Sequence, residues 1–78
     1  MPTVLRVDGH RFFFFSNESN EPPHIHVESA DQYAKFWLDP VELARAVGYN
    51  ARELSWLRQS VQERREFFLE KWDEHFNS

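Results

Sequence analysis

The sequence predicts an α+β domain: a four-stranded antiparallel sheet followed by a short and a long α-helix packed on one face. Before residue 39 the chain is divided into short runs that are rich in strand-forming residues and are separated by turn residues, a pattern typical of strands. After residue 50 the apolar side chains recur with a helical spacing over a long segment that contains neither Gly nor Pro. Strands followed by helices are typical of α+β domains, and 78 residues leave room for a single domain, residues 1–78.

Turn signals define the four predicted strands. Asp8-Gly9 between two β-rich runs is a strong hairpin signal, and a polar loop over residues 16–23 ends in two prolines that favour extended backbone. A second turn, SADQ, separates the last two runs. The predicted strands are residues 3–7 (TVLRV), 11–16 (RFFFFS), 24–28 (HIHVE) and 33–38 (YAKFWL).

Capping signals define the two predicted helices. Asp39-Pro40 has the pattern of an N-cap followed by proline at the first helical position, which predicts a short helix over VELARAV, residues 41–47, ended by Gly48. Asn50 and Glu53 have the spacing of a capping box, and the long helix is predicted over residues 51–75. Its core stripe comprises Leu54, Leu57, Val61, Phe68, Leu69, Trp72 and Phe76.

Alternation along the strands predicts which side chains face the helices, because a slip of one residue would bury polar groups. The inward set comprises Leu5, Val7, Phe12, Phe14, Ile25, Val27, Ala34, Phe36 and Leu38. The opposite face carries His24 and His26, and the only acid within the predicted strands is Glu28. A basic and aromatic sheet face of this kind can bind single-stranded RNA, because rings stack on bases and cations contact phosphates. The predicted nucleic-acid-binding residues are Arg6, Arg11, Phe13, Tyr33, Lys35 and Trp37. A second layer over this face, formed by the long helix or by a partner subunit, is the alternative.

The two histidines His24 and His26 are the candidate catalytic residues. As an acid–base pair they would cleave RNA without a metal, with the RNA 2′-hydroxyl as the nucleophile and Arg11 and Lys35 as phosphate contacts. A zinc site would need further ligands, and no residue has a diagnostic spacing, so neither a metal nor another cofactor is predicted. Ordinary surface histidines with local hydrogen bonds are the simplest alternative, and whether the protein is an enzyme stays open.

Aromatic side chains outside the core stripe predict a protein partner. Trp56 and Phe67 project from nearly the opposite side of the long helix, where they either pack beneath the short helix through Leu43 and Val47 or form a partner surface. Phe15 is the third predicted partner contact. A core of this size without cysteine needs reinforcement, which favours a homodimer or a complex with another protein.

Composition indicates where the protein acts. The sequence contains no cysteine, no apolar run near the roughly 20 residues needed to span a bilayer, and no signal-peptide pattern. We therefore expect a cytoplasmic protein that does not contact a membrane. The net charge of −4 opposes nonspecific DNA binding by the whole surface but permits a local basic patch.

Three segments carry a resemblance to a known family: FFSNE at residues 14–18, PPHIHV at residues 22–27 and AKF at residues 34–36. On these segments the chain resembles, over nearly its whole length, the domain of unknown function 4160 family of small prokaryotic proteins. The four consecutive phenylalanines at residues 12–15 are heavier than the family pattern needs. Members commonly lie beside a gene for a domain of unknown function 2442 protein, in an arrangement like a toxin–antitoxin pair.

The resemblance therefore implies one half of such a pair, with a domain of unknown function 2442 protein as its partner. Together with the residues of the sheet face, it leads us to expect a toxin-like module that binds RNA and that could also cleave it. The alternative is a non-catalytic protein-interaction or regulatory subunit of the antitoxin kind.

Overall fold

Five strands and two helices form the described part of the chain, residues 3–15 and 20–77 of a computed structural model. Each strand pairs antiparallel with the next, so the sheet order is β1-β2-β3-β4-β5. The predicted α+β class is confirmed, with five strands instead of four. No helix among these residues is long and apolar enough to cross a membrane. The strands are β1 (Thr3–Val7), β2 (His10–Phe13), β3 (His24–Ser29), β4 (Gln32–Leu38) and β5 (Val41–Val47), and the helices are α1 (Ala51–Glu63) and α2 (Arg65–Phe76).

The β1–β2 and β3–β4 turns lie where the sequence predicts them. Asp8 and Gly9 both have positive φ, 48° and 84°, as a two-residue hairpin loop requires when its twist matches that of the flanking strands. Ala30, in the turn between β3 and β4, also has a positive φ of 54°. Ser16 of the predicted second strand and residues 17–19 of the predicted loop lie outside the described residues.

The segment predicted as a short helix is the edge strand β5, so that prediction was wrong. Asp39-Pro40, which has a cis peptide bond, lies in the turn between β4 and β5 and caps no helix. A register shift opposite Lys35 and Phe36 leaves Ala44 as an extra residue in β5, and this bulge breaks the two-residue period by which a strand is identified. Pairing with β4 overrides the helix propensity of these residues, as tertiary context commonly does.

The single long helix predicted over residues 51–75 is also wrong, because the chain turns at Arg64, with φ −109° and ψ 16°. The predicted capping box at the start of α1 is present: the Glu53 N–H donates to Asn50 Oδ1 at 2.8 Å, and the Asn50 N–H donates to Glu53 Oε1 at 3.0 Å. After this break, the Arg65 guanidinium of α2 donates to the carbonyl of Leu38, the last residue of β4, at 2.7 Å. The sequence contains no Gly or Pro at this point, so the break could not be predicted from it.

Alternation along the sheet is predicted correctly. Seven of the nine side chains assigned inward are at most 1 % exposed: Phe12, Phe14, Ile25, Val27, Ala34, Phe36 and Leu38. The other two, Leu5 and Val7, pack partly buried against the same core. From the helices, Leu57, Val61, Phe68 and Trp72 complete this core. Phe68 stacks on Phe12, with ring centroids 5.4 Å apart, so the helices cover one face of the sheet.

Candidate functional site

The opposite face of the sheet, here called the outer face, lies away from the helices except near the start of β3, where Trp72 of α2 contacts His24. Cross-strand register arranges its side chains in three rows, of which two run across all five strands and the third across β3, β4 and β5. The first row is Arg6, Arg11, Glu28, Tyr33 and Val47; the second is Thr3, Phe13, His26, Lys35 and Arg45; the third is His24, Trp37 and Glu42. All of the predicted nucleic-acid-binding residues therefore lie on this face together with both histidines.

His26 lies at the centre of an aromatic cluster and is only 2 % exposed. Its ring stacks between Phe13 and Tyr33, with centroids 5.3 Å and 5.8 Å away, and Phe15 contacts it edge-on at 4.6 Å. Its Nδ1 and the Tyr33 hydroxyl share a hydrogen bond of 2.7 Å. This hydrogen bond and the flanking rings hold the imidazole in a single orientation.

His24 is fully buried at the start of β3. Its Nδ1 donates to the Pro22 carbonyl oxygen at 2.9 Å, so Nδ1 carries a proton. Trp72 of α2 contacts the ring at 4.9 Å, and the His26 ring lies 5.0 Å away. An acid–base pair and ordinary surface histidines both require imidazoles exposed to solvent, and that expectation is wrong because aromatic rings and the Pro22 backbone cover both rings.

The two cations nearest the histidines are each held by a carboxylate. Arg11 forms an ion pair of 2.8 Å with Glu28, and its guanidinium lies 4.2 Å over the Phe13 ring. Lys35 forms an ion pair of 2.8 Å with Glu21 and lies 4.5 Å over the Trp37 ring. Glu21 precedes the Pro-Pro pair in the chain, and the strand pattern alone gave no reason to place it here. The face is therefore nearly balanced in charge, where the sequence predicted a basic one.

The three predicted partner contacts are similarly exposed but lie in different parts of the molecule. Phe15, 36 % exposed, packs on the outer face against Phe13 and His26. Trp56, 37 % exposed, contacts the ring of His10, and Phe67, 38 % exposed, contacts Phe68 on α2. Packing of Trp56 and Phe67 beneath a short helix does not occur, since Leu43 and Val47 belong to a strand.

Tyr49 and His10 form a second polar contact, which sequence reasoning missed. Tyr49 is 8 % exposed, and its hydroxyl lies 3.0 Å from His10 Nδ1. Burial, and then the negative charges of Glu53 and Glu28, raise the pKa of Tyr49 from 10.0 to about 12. Its position between Gly48 and Asn50 looks like a connection in the sequence, so no local signal indicates a buried side chain there.

No cluster of three or more His, Asp or Glu side chains suited to a metal ion occurs within residues 3–15 and 20–77.

Comparison with known proteins gives one match. A family model described as Domain of unknown function (DUF4160) matches residues 9–73, which include four of the five strands, all of α1 and most of α2. Searches against curated proteins and against solved structures give no match. The matched segment contains the residues of the outer face from Arg11 to Val47, including the buried histidine pair. The chain therefore belongs to the DUF4160 family.

Proposed function

We propose that this protein is the non-catalytic, protein-binding half of a cytoplasmic two-protein module of the toxin–antitoxin kind, and that its outer face binds the cognate protein. The observation that carries the proposal is the pairing of Arg11 with Glu28 and of Lys35 with Glu21, both at 2.8 Å. A phosphate would have to displace these carboxylates while being repelled by them. An aromatic surface with balanced charge suits a protein partner better than a polyanion.

The burial of the histidines supports a binding role over a catalytic one. A general acid or base has to come within about 3 Å of the proton that it transfers. His24 is 0 % exposed and His26 is 2 % exposed, so a substrate on the face would touch the covering rings and not the imidazoles. Their contacts instead order the aromatic cluster.

Phe15 is the proposed anchor of the interface. Its ring is 36 % exposed, while Phe13 and His26 support it from within the sheet face. A supported ring loses little conformational freedom when a partner covers it, which lowers the cost of association. Aromatic side chains in this situation commonly contribute most of the affinity of an interface.

Isothermal titration with a domain of unknown function 2442 protein encoded in the same genome tests this function. The variants are Phe15→Ala and, as a matched control, Phe67→Ala, because the two rings are almost equally exposed on opposite layers. We expect Phe15→Ala to weaken binding by about tenfold to a hundredfold and Phe67→Ala to leave it unchanged. Unaltered affinity of the Phe15 variant, or a loss confined to the Phe67 variant, would contradict the proposed surface.

Cleavage of RNA is the second candidate, and the arrangement of His24, His26 and Tyr33 favours it. The two imidazoles lie 5.0 Å apart, and the 2.7 Å bond from Tyr33 orients one of them, as acid–base catalysis requires. Phe15 and the Pro22 segment would have to move before RNA could reach them. Metal-independent cleavage that is lost in a folded His24→Ala/His26→Ala variant and kept in Phe15→Ala would favour this function. Lack of cleavage by the unmodified protein would exclude it.

A further inference from the structure

The edge strand β5 is the most exposed strand of the sheet. Six of its seven residues are exposed, and within the described sheet it pairs with β4 alone. Leu43 and Val47 are 44 % and 47 % exposed and point to opposite faces, so both sides of the edge present apolar surface. An edge strand also presents backbone N–H and C=O groups that another strand can pair with.

The bulge in β5 places two opposite charges on the same face. Glu42 lies opposite Trp37, and Arg45 lies opposite Lys35, so both side chains belong to the outer face although they are three residues apart. In a regular strand, residues three apart point to opposite faces. The extra residue Ala44 removes that difference.

Neither of these charges is neutralised within the described residues. The side chains of Glu42 and Arg45 form no hydrogen bond or ion pair with another described side chain. Arg45 also faces Lys35, a residue of the same charge, across the strand pair, which is unfavourable. An acid placed at the free edge beside Arg45 would relieve this repulsion.

We propose that β5 pairs antiparallel with β5 of a second copy of this chain, about a two-fold axis between residues 43 and 44. In this register Glu42 faces Arg45 of the second copy, and the symmetry forms the ion pair twice. Val41 faces Ala46 of the second copy, and both point toward the helix side. The bulge makes this register possible. Residues paired directly across an antiparallel sheet point to the same face, whereas residues 43 and 44 of a regular strand would point to opposite faces.

The surroundings of β5 also suit pairing with a second copy of this chain. On the helix side, Leu43 lines an open groove with Phe36, Ala51, Leu54, Ser55 and Arg58. The second copy would cover this groove with its own Leu43. Charges and bulges usually protect an edge against pairing. In β5, Glu42 of one copy is complementary to Arg45 of the other, and the bulge brings both onto the same face, so these features favour one register and disfavour the others.

Sedimentation velocity of the protein alone, from micromolar to millimolar concentration, tests the dimer. We expect Glu42→Arg and Arg45→Glu each to raise the dimer dissociation constant by about tenfold or more, since each variant replaces two ion pairs with two like-charge contacts. The double variant restores both pairs and should dimerise like the unmodified protein. Glu63→Arg, an exposed substitution on α1, is the control and should change nothing.

A monomer at every concentration would overturn the inference, as would a double variant that dimerises no better than the single ones. Circular dichroism confirms that each variant is folded. The result is separable from the proposed function, because Phe15→Ala leaves β5 intact and should dimerise normally. A monomeric protein that still binds the domain of unknown function 2442 protein would refute only the dimer.

Discussion

Burial of Tyr49 predicts a loss of stability at alkaline pH. The hydroxyl shares a 3.0 Å hydrogen bond with His10 Nδ1, and burial is the largest cause that raises its pKa to about 12. In the unfolded chain the same group ionises near its ordinary value of 10.0. The folded protein therefore holds this proton more tightly than the unfolded chain does. Its contribution to stability is complete below pH 10 and is lost as the pH rises toward 12.

The magnitude follows from the two pKa values. Raising a pKa from 10 to 12 corresponds to about 3 kcal/mol when the titration is complete, and about 1 kcal/mol of this is lost between about pH 9 and pH 11. Denaturant unfolding of the unmodified protein and of Tyr49→Phe measures it. At neutral pH the variant should be about 1 kcal/mol less stable, because the hydrogen bond to His10 is absent. Over the alkaline interval the unmodified protein should lose about 1 kcal/mol more than the variant.

Equal losses by the two proteins over that interval would show that the buried Tyr49 hydroxyl does not stabilise the fold below its pKa. A direct reading is also possible, because the chain contains only two tyrosines. In a Tyr33→Phe variant the phenolate absorbance reports Tyr49 alone. Ionisation of Tyr49 at an ordinary pKa in the folded protein would show that burial does not protect its hydroxyl.

Two further predictions concern stability and use matched controls. Both glycines have positive φ, but a Cβ at Gly48 would lie 3.3 Å from Gln32, whereas a Cβ at Gly9 would meet nothing within 4 Å. Gly9→Ala should cost about 1 kcal/mol, and Gly48→Ala roughly 1 kcal/mol more. Equal costs would show that Gln32 moves freely. Trp72→Ala should cost about 3–5 kcal/mol because the ring is 6 % exposed, and Phe67→Ala about 1 kcal/mol or less. Similar thermal unfolding of these two variants would show that α2 contributes little to the core.

The candidate site was only partly predictable, because alternation along the strands shows which residues lie on the outer face but not how exposed or how charged that face is. Membership of the face follows from alternation, so His24, His26, Tyr33, Lys35 and Trp37 could be placed on one side from the sequence. Accessibility and charge do not follow from alternation. The ion pair of Glu21 with Lys35 joins a residue before β3 to a residue of β4 that is 14 positions later, and no periodicity anticipates it.

Features that depend on neighbouring residues could be predicted from the sequence. Asp8-Gly9 adopts the positive φ values of its hairpin, Asn50 and Glu53 cap the first helix, and the alternating apolar side chains from Ile25 to Leu38 enter the core. These outcomes depend on backbone conformation and on interactions within a few residues. Interactions of this kind involve few residues, which is why the sequence predicts the hairpin, the capping box and the alternation.

The strand conformation of residues 41–47, the turn at Arg64 and the burial of the two histidines depend on tertiary contacts. VELARAV has the composition of a helix, and pairing with β4 makes it a strand. The Arg65 guanidinium bonds to the Leu38 carbonyl 27 positions away, and Trp72 covers His24 from 48 positions away. Contacts across such separations form only when the whole chain folds, so they can override local preferences that short segments express.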